Sequence, residues 1–359
     1  MEADGSELLF YCVRKEMHGT IKMDLGTIRI SVIDTEAKKT LCKWRRHHGI
    51  ALITKKGRRK LYFLTYAKMQ IAITFLLNAQ NCASRRSQYI PRGDLPRQGV
   101  CTDHQLVRHR HTGETFELKS VRKSELQEQE LKLVYNELSV LQICSQVKMF
   151  VALVDHFEDD ESLTLIINHH PKTLLDLVNA SDGRGSEEQV ASIVKELAFA
   201  LSKLHLINVA HRDLCQSSIR ITHKTGKPGR LLLSHLDFAI PLKKDYMVKQ
   251  SLNIGRPMAP ELASGQSHDI AVDVWALGQI TFQLLCGLKD DDLTSWLCPD
   301  PALDTAETRR HFALADQSNW PAAVSDQARE LVAQMVQSNP ARRPTITTIL
   351  AHPWLSSSQ

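Results

Sequence analysis

The chain has 359 residues, 43% hydrophobic and 24% charged, with a formal net charge of +5. That balance is ordinary for a globular protein, and the length suits two domains. No apolar run approaches the ~18 residues of a membrane span, Met1-Glu-Ala-Asp-Gly5 has neither part of a secretion signal, and eight cysteines occur without a Cys-x-x-Cys pair. A soluble, cytoplasmic chain with reduced thiols is the expectation.

The first region is basic. Residues 1–95 carry eighteen Lys and Arg against eight Asp and Glu, clustered at Lys38-Lys39, Lys43 to Arg46 and Lys55 to Lys60. Short β-rich runs at Leu9–Cys12, Gly19–Met23, Ile28–Ile33, Gly49–Thr54 and Lys60–Leu64 precede a helical pattern over 66–80 carrying Met69, Ile73, Leu76 and Leu77. Strands closed by one helix resemble a pleckstrin-homology domain, here partly truncated because its first two strands have no room before Leu8. The charge suits an anionic membrane surface as well as ordinary solvated turns. Nucleic acid is not expected, since no recognised module accompanies the charge. Residues 81–98, with Ser84-Arg-Arg-Ser87 and Pro91-Arg-Gly-Asp-Leu-Pro96, have the composition of a linker.

From residue 99 the pattern changes. Thr112-Gly113 marks a turn, followed by alternation around Phe116 and Leu118 that predicts a half-buried strand ending at Lys119. Leu131, Val134, Leu138 and Leu141 recur at helical spacing between about residues 124 and 143, which sets Glu137 beside a core-facing stripe. Two apolar runs, Phe150–Leu153 and Leu163–Ile167, flank the acidic turn Glu158 to Glu161 and read as strands. Ser186-Glu-Glu-Gln189 is a capping box, and Val190, Ile193, Val194, Leu197, Leu201 and Leu204 give the following helix an apolar face.

Three signatures then appear in order: His211-Arg-Asp213, Leu236-Asp-Phe-Ala239 and Met258-Ala-Pro-Glu261. Together they resemble the eukaryotic protein-kinase family. The resemblance implies a bilobal kinase fold over 99–355, α+β in class, after the pleckstrin-homology-like module of 1–80. It implies ATP and Mg2+ as cofactors and a protein substrate or signalling partner. Asp213 takes the role of base, Asp237 that of magnesium ligand, and Lys119, paired with Glu137, that of the phosphate-binding lysine. Asn168 to His170 falls at the hinge, where backbone groups at Asn168 and His170 would meet adenine. Asp273 corresponds to the residue that braces the catalytic loop, and Arg343 to the partner of Glu261.

The chain departs from the family pattern in several places. The phosphate-covering loop, Arg97 to His104, keeps Gly99 alone; Ser218 stands where a magnesium-binding Asn is usual; Cys215 replaces a Lys; Ala239 replaces a Gly. Arg256 takes the place of a Thr in Gly255-Arg-Pro257, and Tyr246 and Ser251 lie in the activation segment. Two functions stay open on this reading. One is an ATP-dependent Ser/Thr kinase with Gly99, Lys119, Asn168, His170, Ser218 and Asp237 around the cofactor. The other is a pseudokinase scaffold without phosphoryl transfer.

Overall fold

The structure is a computed structural model. It describes the backbone of strands within residues 6–63 and of 248–249, and it describes residues 85–96, 99–144, 147–180, 185–222, 229–242, 258–288 and 320–356 in full. In the first region β1 (Ser6–Phe10) pairs with β2 (Gly19–Met23). Strands β3 (Arg29–Ile33), β6 (His48–Thr54) and β7 (Gly57–Phe63) make a second sheet in the order β3-β6-β7. Between them β4 (Ala37–Thr40) and β5 (Lys43–Arg46) form a hairpin that sets Lys38 opposite Arg45. That hairpin was not expected, because Lys and Arg have low strand propensity. The helix predicted over 66–80 lies outside the described residues.

The stretch read as a linker contains a strand. Strand β8 (Tyr89–Asp94) pairs antiparallel with β9 (Asp103–His109), with Tyr89 opposite His109 and a register shift between Pro91 and Gly93. It lies at the end of a five-stranded sheet of order β11-β12-β10-β9-β8, in which β10 is Thr115–Arg122, β11 Leu153–Glu158 and β12 Ser162–Asn168. Proline and glycine signal a loop by composition, but an edge strand tolerates both where a bulge interrupts the ladder.

Strand β10 (Thr115–Arg122) follows the turn at Gly113, whose φ of 74° suits glycine. The expectation of a half-buried strand ending at Lys119 needs correction: six consecutive residues, Phe116 to Val121, are buried, and Lys119 lies mid-strand. Charged side chains survive there because each has a partner. Helix α1 (Glu128–Cys144) follows, and its buried residues Leu133, Val134, Glu137, Val140, Leu141 and Cys144 share one face. Strands β11 (Leu153–Glu158) and β12 (Ser162–Asn168) flank a turn in which Asp159 Oδ1 accepts from the Glu161 and Ser162 N–H groups.

The helical part begins with β13 (Lys172–Thr173), α2 (Leu174–Ala180) and α3 (Glu187–Leu206). The predicted capping box is present: Gln189 N–H donates to Ser186 Oγ, and the Ser186 N–H donates to Gln189 Oε1. Short strands β14 (Val209–Ala210) and β17 (Ile240–Pro241) pair, as do β15 (Ile219–Ile221) and β16 (Leu231–Leu233). Beyond β18 (Val248–Lys249), α4 (Pro260–Ala263) and β19 (Ser267–His268) comes α5 (Ala271–Cys286), buried along almost its whole length. It packs on α3 and on α6 (Asp326–Met335). A Cβ at Gly278 would stand 2.8 Å from Met335 Cβ, so glycine permits this close helix approach. Helices α7 (Ile346–Leu350) and α8 (Pro353–Ser356) complete the described residues.

Two compact units are distinguished: Met1–Asp94, Gln105–Phe116 and His156–Thr164 make one, and Leu95–His104, Glu117–Asp155 and Leu165–Gln359 make the other. Every residue of the site below belongs to the second. Among the described residues no helix is long and apolar enough to cross a membrane.

Candidate active site

A single lysine organises the site. Lys119 Nζ donates to Glu137 Oε1 at 2.7 Å and to Asp237 Oδ1 at 2.5 Å, and all three side chains are buried. The Lys119–Asp237 contact joins residues 118 apart in sequence, bringing mid-β10 to the 3-10 turn Leu236–Phe238. Burial opposes the charge on Lys119, but Asp237 and Glu137 outweigh it and raise its pKa. Two carboxylates share this one ammonium, so they titrate apart. Burial, helped by the charge of Asp237, lifts Glu137 to about 7. Burial also works to raise Asp237, yet the closer Lys119 ammonium holds it below the usual carboxylate range.

The catalytic-loop residues are held by Asp273 at the start of α5. Its carboxylate is fully buried and accepts from the N–H groups of His211 and Arg212, both at 2.9 Å, and from His205 Nε2 at 2.9 Å. Burial pushes the Asp273 pKa up, and these donors and the neighbouring imidazoles pull it below the ordinary value. Arg212 takes a left-handed backbone, φ 64°, and its Nε donates to the Phe238 carbonyl at 2.7 Å. His211 Nε2 donates to the Ser234 carbonyl, so the loop is tied to the chain on both sides of Asp237. Asp213 is buried, with its N–H donating to His211 Nδ1. Behind it Ala210, Ala259, Leu262, Val272, Trp275 and Val336 pack together. Arg343 bridges both oxygens of Glu261 at 2.5 and 2.9 Å and lies over the Trp275 ring, 5.0 Å from its centre.

A small pocket opens beside Lys119. Its lining includes apolar Leu141, Val151 and Ile167 and polar Glu117, Asn168, Arg220 and His235. Asn168 is half-buried and its N–H donates to the Ala152 carbonyl; the His170 carbonyl accepts from Arg220 Nη1 at 3.2 Å. His170 is lowered by burial. His235, in the left-handed region at φ 57°, is pushed down to about 3 by burial, which leaves a neutral imidazole whose Nε2 has no hydrogen-bond partner among the described residues.

Gly99 lies on Asp237. Its φ is 56°, and a Cβ there would fall 2.6 Å from Asp237 Oδ1, a clash that only glycine avoids. Asp237 therefore meets Lys119 on one side and bare backbone on the other. A hard carboxylate oxygen beside an ammonium fits magnesium held against phosphates. Ser218 fits less well: its hydroxyl donates to the Cys215 carbonyl and accepts from the Cys215 N–H, both at 2.9 Å, within its own 3-10 turn. Cys215 is buried and its sulfur meets Ser217 Oγ at 3.1 Å. Tyr246, Ser251, Gly255, Arg256 and Pro257 lie outside the described residues.

Sequence reasoning missed a second charge cluster. Glu117 Oε2 accepts from His104 Nε2 at 3.2 Å, and Glu117 Oε1 accepts from His169 Nδ1 at 2.9 Å, with Arg220 Nη2 at 3.9 Å. Burial pushes the Glu117 pKa up, but the two imidazoles and the guanidinium take it far below the usual carboxylate range. The available signal was Glu117 two residues from Lys119, hence on the same strand face. Its partners, 13 and 52 residues distant, carried none.

The protein kinase domain family model matches residues 98–355, and the chain belongs to that family. It is 28% identical over 254 residues to an Aurora kinase of Schizosaccharomyces pombe, covering 70% of this chain and 66% of that protein. It is 27% identical over 252 residues to the calcium/calmodulin-dependent protein kinase cmkB of Emericella nidulans, covering 69% and 60%. Against the serine/threonine-protein kinase DCLK2 of Mus musculus it is 29% identical over 248 residues, 69% of this chain but 32% of that one. The match thus spans 32% to 66% of the length of these relatives.

Proposed function

We propose that this chain transfers the γ-phosphate of ATP to a Ser or Thr hydroxyl of a protein substrate. The observation that carries the reading is the double ion pair of Lys119 with Glu137 and Asp237. It holds an ammonium and a carboxylate oxygen together where a triphosphate and its magnesium need a cation and a hard anionic ligand. Magnesium, when bound, neutralises charge building on the phosphate oxygens. Lys119 orients the phosphates, Glu137 keeps Lys119 in place, and Asp237 supplies the metal-binding oxygen. Asp213 accepts the substrate hydroxyl proton, in a loop that Asp273 fixes through two backbone N–H groups.

The reading is tested by phosphate incorporation into a generic protein substrate, with and without magnesium. Asp213→Asn should lower magnesium-dependent turnover at least about 100-fold; equal rates in parent and variant would refute it. The pseudokinase alternative is favoured by one observation, the Ser218 hydroxyl turned into its own loop. It predicts no turnover in the parent and turnover gained with Ser218→Asn and Cys215→Lys together. We also propose the pleckstrin-homology-like reading of the basic first region, with peripheral contact to anionic lipid; the strand-rich pairing of 6–63 and the excess of Lys and Arg support it.

A further inference from the structure

Among the described residues three besides glycines take a positive φ: Asn208, Arg212 and His235. That backbone costs free energy in any residue with a Cβ, and it recurs where a side chain has a task. Asn208 Nδ2 donates to the Leu242 carbonyl at 2.6 Å, and Arg212 Nε donates to the Phe238 carbonyl at 2.7 Å, so each ties its loop down. His235 differs. Its Nε2 is sealed from solvent and meets no hydrogen-bond partner among the described residues. A buried nitrogen left in that state works against stability, and an apolar ring of similar size would remove the cost.

The place of this imidazole points to a ligand. His235 lines the same pocket as Lys119 and Arg220. It also opens the 3-10 turn Leu236–Phe238, so its Cα lies within about 7 Å of that of Asp237. The residue before it is fixed: the Ser234 carbonyl accepts from His211 Nε2, and Ser234 Oγ donates to the Ser218 carbonyl. His235 is thus held beside the metal-binding carboxylate by the catalytic loop. Two carboxylates share the pocket lining, and both are already engaged: Glu117 holds His104 and His169, and Glu137 holds Lys119. An anionic oxygen drawn toward Lys119 and Arg220 would meet an imidazole able to turn an N–H toward it.

We propose that His235 is a further phosphate-binding residue: its Nε2–H donates to a phosphate oxygen of the ligand that Lys119 holds, and the nitrogen left without a partner in the chain alone finds its acceptor there. The proposal rests on the reading of Lys119 and Asp237 as the phosphate and magnesium site. A donor kept unpartnered until ligand arrives weakens the fold and strengthens binding, so replacing it should separate the two effects.

The test is calorimetric titration of the full 359-residue chain in magnesium, with inorganic tripolyphosphate and with a non-hydrolysable ATP analogue. His235→Phe keeps a planar ring and removes the donor, and it should weaken both ligands by about tenfold or more. His235→Gln restores an amide N–H at similar reach and should bind both within about threefold of the parent. Without ligand, both variants should melt within about 4 °C of the parent, because no protein partner of Nε2 is lost. A larger fall in both makes the imidazole a packing residue and overturns the proposal. Parent-like binding by His235→Phe overturns it as well, and so does a loss confined to the ATP analogue, which would assign the imidazole to the nucleoside. A parent that binds neither ligand overturns the phosphate-site reading and this proposal with it.

Discussion

Asp273 and Glu117 are both buried carboxylates that collect several donors, and they differ in where the donors sit. Asp273 holds two backbone N–H groups, those of His211 and Arg212, besides the His205 ring. A backbone donor cannot swing away without moving the chain, so Asp273 fixes a path, including the left-handed residue Arg212. Glu117 holds only side chains, those of His104, His169 and Arg220, so it ties side chains together and fixes no backbone path of its own. Similar charge and burial thus brace the backbone in one place and join side chains in the other.

The strongest way to break this contrast is to remove each carboxylate in turn. Asp273→Ala leaves two buried N–H groups without an acceptor and should cost about 3–5 kcal/mol in chemical denaturation. Arg343→Lys probes a side-chain pair that is nevertheless rigid, since its fork spans both Glu261 oxygens and stacks on Trp275. Losing that geometry while keeping the charge should lower the denaturation free energy by about 2 kcal/mol. Glu117→Gln should cost less, about 1–2 kcal/mol by the same measurement. If it destabilises as much as Asp273→Ala, side-chain donors hold a buried carboxylate as firmly as backbone donors do. Gly99→Ala combines a left-handed φ with a contact on Asp237 and should cost about 1–2 kcal/mol.

The smallest effect is on pH dependence. Glu137 sits at about 7 in the folded chain against an ordinary 4.5, so the folded protein keeps a proton that the unfolded chain releases. Its contribution is fully present below pH 4.5 and is lost as pH rises through about 7. The melting temperature of the ligand-free protein should therefore carry a downward component between pH 5 and 8, and Glu137→Gln should flatten it. An unchanged slope in the variant would assign that proton to another group.

Local signals in the chain carry the elements and the primary site. The capping box at Ser186 and Gln189, the periodicity that buries Glu137, and the order of His211-Arg-Asp213, Asp237 and Glu261 are each legible because backbone geometry repeats over short spans. The edge strand β8 was hidden by its own Pro and Gly, which speak for a loop until a neighbouring strand offers a ladder. Ser218 reads as a metal ligand by position, and its hydroxyl turns instead to the nearest backbone groups.

What the sequence determined by itself was the kinase fold and the identity of Lys119, Glu137, Asp213 and Asp237 as candidate site residues. What only the tertiary structure decided was how charge is shared: that Lys119 serves two acids at once, that Gly99 rests on Asp237, and that Glu117 draws together His104, His169 and Arg220. Coulombic and hydrogen-bond energies depend on distances between side chains far apart in sequence, and those distances exist only once the strands and helices have packed.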